Sequence, residues 1–145
     1  MHRRKALKCI SFMIYSGETN DFQPASQLLC EKLLEYMRIY EGEMVPMVMF
    51  TLRIMMLRLD APCISEMWPR VWPHVLTELF TIFSNNSVTV ELKVEALKLL
   101  EILSTLGIEE FHMFQWIFFY DVFEVEETNQ PNGFRPLIPA LLHPD

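Results

Sequence analysis

The chain has 145 residues, 51% of them apolar, only four glycines, and a net charge of −7 from 19 acidic and 12 basic side chains. A chain of this size buries roughly two thirds of the surface its unfolded form exposes, and so apolar a composition excludes collagen-like and disordered classes. Its negative field repels a phosphate backbone, so nucleic acid is not an expected partner.

The chain opens with the basic run His2-Arg3-Arg4-Lys5. Lys8 interrupts the apolar residues that follow, and no small-residue cleavage site comes after them, so this reads as the basic start of a first helix rather than a signal peptide. Leu7, Ile10, Ser11, Ile14 and Tyr15 keep helical spacing as far as Gly17, where a left-handed C-cap is expected. A second helix is expected from about Pro24 to Glu41, with Leu29, Leu33, Tyr36, Met37 and Tyr40 on its apolar side. The third, from Met44 or Pro46 to Leu59, is apolar almost all round, which places it in the middle of the fold. It contains Arg53 and Arg58 and falls short of the roughly 20 residues a membrane span needs.

Asp60-Ala61-Pro62 reads as a break. Ser65 is the expected N-cap of a fourth element whose long helix begins near Trp72, since Pro69 and Pro73 cannot both lie in a helix interior. A fifth helix is expected from Val88 to Leu106, closed by Gly107, and a sixth from Glu109 to about Val122 with a strongly aromatic face. Trp72 and Trp116 should be buried. From Glu124 the sequence turns polar and acidic, and the apolar Phe134 to Leu142 should dock back onto the helices. The expectation is thus one all-α domain over residues 1–145: an antiparallel HEAT/armadillo-like array of about six helices over 1–123, then an irregular C-terminal segment over 124–145, with no sheet.

Cys9, Cys30 and Cys63 form no C-x-x-C pair, and His2, His74, His112 and His143 share no metal-binding spacing. There is no phosphate-binding glycine loop and no activated nucleophile, so no enzyme, metal or cofactor is expected. Leu92, Leu99 and Leu106 repeat every seven residues, a zipper-like pattern too short for an established coiled coil and also readable as core. Together with Phe111, Phe114 and Phe118 they are the candidate partner or dimer surface, because the end of an excised helical array lacks the neighbour that would cover it. Arg3, Arg4, Lys5 and Lys8 are a candidate contact for anionic lipid, a solvated helix end being the plainer reading.

Four segments resemble the C-terminal region of the Dopey family: Arg53 to Leu59; Met67 through Trp72-Pro73-His74-Val75-Leu76-Thr77-Glu78-Leu79; Phe111-His112-Met113-Phe114-Gln115-Trp116-Ile117-Phe118; and Phe134-Arg135-Pro136-Leu137. Their order and spacing match over nearly the whole chain. The resemblance implies a non-enzymatic scaffold piece in endosome-to-Golgi traffic, cytoplasmic and peripheral on Golgi and endosome membranes. It also implies a large HEAT-repeat partner related to Arf exchange factors, and a leucine-zipper-like character that supports a homodimer. Two features depart from the family pattern: the short connection at Asn85-Asn86-Ser87, and the absence of a strongly basic tail after Leu142. The rival reading is an apolar-ligand or lipid-binding helical domain with a cavity lined by the Phe111 to Tyr120 segment.

Overall fold

The computed structural model describes residues 2–39 and 44–114 with their side chains, and the backbone of residues 119–121 and 134–136. Seven helices follow one another among the described residues: α1 (His2–Ser16), α2 (Gln23–Ile39), α3 (Met44–Arg58), α4 (Ala61–Met67), α5 (Trp72–Ser84), α6 (Val90–Thr105) and α7 (Glu109–Phe114). The fold is the expected helical array.

Its centre is α3, whose apolar residues run almost all the way round the helix. Val48, Met49, Leu52, Met55 and Met56 are all buried, and α1, α2 and α6 each pack against this one helix. A helix apolar on most of its circumference can satisfy that surface only with neighbours on several sides, which is what three packing partners supply. Pro46 sits in the first turn of α3, where the missing amide proton leaves no hydrogen bond unmade. The polar residue at the heart of this packing is paired: Thr51 Oγ1 lies 2.9 Å from Ser11 Oγ of α1 and 2.8 Å from the Met47 carbonyl. Ser11 in turn reaches the Leu7 carbonyl at 2.9 Å. One hydroxyl proton serves the bond between helices while the other serves its own helix, so α1 and α3 are held in register by a buried polar contact.

The fourth element starts earlier than the sequence suggested. Asp60, not Ser65, is the N-cap of α4: its backbone is extended (φ −77, ψ 165) and its carboxylate accepts the Cys63 amide at 3.0 Å. Asp-Ala-Pro is therefore a cap followed by a first-turn proline rather than a plain break. Ser65 lies inside the helix and donates to Glu110 Oε2 at 3.2 Å, tying α4 to α7. The long helix begins at Trp72 as expected, with Pro73 in its first turn. Trp72 is fully buried, and its indole N–H donates to the Ile64 carbonyl at 3.1 Å, pinning the corner between α4 and α5. Likewise α6 is capped by Thr89, whose hydroxyl accepts the Leu92 amide at 3.4 Å.

Two further expectations are corrected. Gly17 is not left-handed; the positive φ in that turn belongs to Asn20 (φ 68), whereas Gly107 does take the expected left-handed cap (φ 63). The sixth helix of the sequence reading ends at Phe114 instead of Val122, because residues 119–121 are extended and form strand β1 (Phe119–Asp121). Strand β2 (Phe134–Pro136) pairs with it antiparallel, Phe119 opposite Pro136 and Asp121 opposite Phe134. The array thus carries a two-stranded ladder where no sheet was expected. The β-forming aromatics of this segment satisfy a strand as well as a helix, and pairing with a distant segment decides between them. Trp116, Phe118, the acidic loop from Glu124 to Gly133 and the tail from Leu137 to Asp145 lie outside the described residues.

Candidate functional site

Because α1 and α6 both pack on α3, the surface of α3 between them is the floor of an open groove of about 1470 Å³. The α1 wall presents Arg4, Lys8, Phe12 and Tyr15, residues spaced so that they share one side of the helix. Met47, Phe50, Arg53 and Ile54 of α3 form the floor. The opposite wall combines Ile82 of α5 and Val88 of the connection with Glu91, Leu92 and Glu95 of α6. No sequence signal singled out this groove as a whole, since its residues come from α1, α2, α3, α5, α6 and the connection between the last two.

The charges in the groove are arranged rather than scattered. Arg53 pairs with Glu95 at 3.2 Å, both side chains largely screened from water, and the guanidinium carbon stands 5.4 Å from the centre of the Phe50 ring. Glu95 also accepts from Lys98 at 2.6 Å. Glu78 is paired with Arg38 at 3.1 Å, and Arg38 Nη2 lies 3.5 Å from His74 Nδ1. The groove therefore has an apolar floor crossed by one internal ion pair, a cationic wall on α1 and an anionic wall on α6.

The residues singled out from sequence fall in different places. Leu99 has no exposed surface and packs with Ala96 and Leu103 in the core, so the middle of the zipper-like repeat is not a partner surface. The α6 face that carries it is spent on the packing against α3. Leu92 and Leu106 are half-buried, and Leu92 lines the groove. Phe111 is buried against Trp68 in an edge-to-face contact (centroids 6.3 Å apart, planes at 74°), and the half-buried Phe114 ring lies 5.7 Å from the same indole. These rings fill the α4–α7 junction instead of lining a cavity. Phe118 lies outside the described residues. Arg3, Arg4, Lys5 and Lys8 are exposed along the start of α1, with Lys8 and Arg4 on the groove.

Two thiols are chemically quiet. Burial, reinforced by the nearby Glu31, pushes Cys30 up to about 12, and the hydrogen bond with Asp60 together with burial pushes Cys63 up to about 11. Both stay protonated at neutral pH, and a protonated thiol is neither a good nucleophile nor a metal ligand. Among the described residues, no group of three or more His, Cys, Asp or Glu converges on a common point, and no helix is long and apolar enough to cross a membrane.

A family model described as DOP1 C-terminal matches residues 1–142. No curated protein and no solved structure matches the chain.

Proposed function

The chain belongs to the DOP1 C-terminal family, that of the Dopey proteins, and on that premise we propose that it is a non-enzymatic interaction module of a scaffold acting in endosome-to-Golgi membrane traffic. The observation that carries this reading is the extent of the match, which takes in all the helices and the ladder and not one motif alone. The structure is in keeping with it: a buried apolar core lies under an open groove on the surface. Such a concavity suits a protein segment better than the enclosed pocket of a small substrate.

In this reading the module works on the cytoplasmic face of Golgi and endosome membranes beside a large HEAT-repeat scaffold related to Arf exchange factors. The exposed cations Arg3, Arg4, Lys5 and Lys8 add a contact for anionic lipid, and the half-buried Leu92, Leu106 and Phe114 are what remains of the candidate surface for a partner or a second copy. Depleting the protein from cells tests the reading directly. Cargo that normally returns from endosomes should then fail to reach the Golgi; normal retrieval without the protein would remove the traffic role.

The rival reading, an apolar-ligand domain, now rests on the groove between α1 and α6 rather than on the aromatic α7 segment, because Phe111 is packed solid against Trp68. Native mass spectrometry of the purified protein separates the two: co-purified lipid favours the rival, and a ligand-free mass favours the interaction module.

A further inference from the structure

The groove between α1 and α6 has four properties that together specify an occupant. Its volume of about 1470 Å³ exceeds the roughly 300–1,000 Å³ of ordinary small-molecule sites. An α-helix with its side chains is about 10–12 Å across and rises about 5.4 Å per turn, so a groove of this volume takes about three turns. The floor is apolar, with Met47, Phe50 and Ile54, and one wall offers an aromatic ring with little to cover it: Phe12 is 70% exposed. The two walls differ in sign. Lys8 stands on the α1 side and Glu91 on the α6 side, and neither has an ion pair among the described residues. By contrast, the charges that cross the floor, Arg53 and Glu95, already neutralise each other.

From this we infer that the groove is a docking site for one amphipathic helix of a partner protein, about three turns long, with an apolar ridge flanked by acidic residues on one edge and basic residues on the other. The ridge lies on Phe12, Phe50 and Ile54. The acidic edge meets Lys8 and the basic edge meets Glu91. A helix with like charges on both edges would face repulsion from one wall, which gives the site its selectivity. A lipid chain would use the floor but leave Glu91 facing an anionic headgroup, so charge favours a polypeptide. The inference is independent of the trafficking reading, since it concerns only what the purified protein binds.

The test uses three designed helical peptides with the same leucine ridge: one with glutamates along one edge and lysines along the other, one with glutamates on both, and one with lysines on both. Binding is followed by fluorescence anisotropy on the full chain. The split-edge peptide should bind about threefold or more tightly than either uniform peptide, as expected for exposed ion pairs gained or lost at two edges. Phe12→Ser, at an exposed position that the fold does not need, should weaken the split-edge peptide about tenfold, as expected for lost burial of an aromatic ring. Glu91→Lys should move the preference to the peptide with glutamates on both edges, with unchanged circular dichroism showing that the fold survives. Equal affinity for all three peptides, or binding unaffected by Phe12→Ser, would overturn the proposal. So would two other occupants: a dimer at micromolar concentration that Phe12→Ser dissolves, or anionic phosphatidylserine vesicles that displace the split-edge peptide.

Discussion

Asn20 and Asp60 show how much a single pair can hold. The Asn20 amide N–H donates to the Arg58 carbonyl at 2.9 Å, its side chain donates to Asp60 Oδ2 at 2.9 Å and accepts from the Asp60 amide at 3.0 Å. The turn after α1 is thereby clasped to the turn after α3. Arg58 strengthens the same corner, donating to the Tyr15 carbonyl with its guanidinium carbon 4.9 Å from the Tyr15 ring centre. Asn20 also carries the left-handed backbone that most side chains disfavour by about 1–2 kcal/mol. Asn20→Ala should therefore lower the melting temperature more than Asn20→Gly, which keeps the backbone and loses only the side-chain bonds; equal losses would show that the backbone strain is immaterial. At Asp60 the hydrogen bonds from Cys63 and Asn20 hold the carboxyl below the usual carboxylate range. The folded form then binds its proton less readily than the unfolded form, so this contribution is present at neutral pH and is lost as pH falls through the depressed folded value. The stability gap between the wild type and Asp60→Asn, measured by urea denaturation, should shrink on acidification; a gap that widens would contradict the assignment. None of this was legible in sequence. Gly17 drew the left-handed cap by residue type, yet it is there for a close approach: a Cβ would come 2.8 Å from the Phe22 ring.

At the scale of elements, the sequence located helices better than it located their starts and ends. Periodicity found α2, α3 and α5 because their apolar stripes are long, and it placed Trp72 correctly in the core. It missed the seven-residue α4, since a helix of two turns has too little stripe to register and its cap, Asp60, looked like a breaker. The zipper-like leucines of α6 illustrate the ambiguity of a heptad: the same spacing serves a coiled coil or a buried seam, and α3 decides for the seam. Leu99→Ala should accordingly cost about 2–5 kcal/mol of stability, as large-to-small substitutions in cores do, with no change in oligomeric mass. A folded protein of unchanged stability whose mass by light scattering has halved would restore the dimer seam. Trp72→Phe, which removes the donor to the Ile64 carbonyl, should cost about 1–3 kcal/mol by the same denaturation assay.

Over the whole molecule, one apolar helix organises the rest. The sequence marked α3 as central by its lack of a polar face, and α1, α2 and α6 gather on it. What could not be read in advance is the groove, because it exists only once α1 and α6 are set apart on the same floor. The antiparallel ladder between residues 119–121 and 134–136 was equally hidden, since both segments are short and twelve residues separate them. Whether these helices form an interaction module on a traffic scaffold is decided by fractionating cells that carry the tagged protein and comparing it with the tag alone. The tagged protein should sediment with Golgi and endosome markers and bring down a HEAT-repeat scaffold that the tag alone fails to hold. Equal sedimentation and equal capture by the tag alone would contradict that reading.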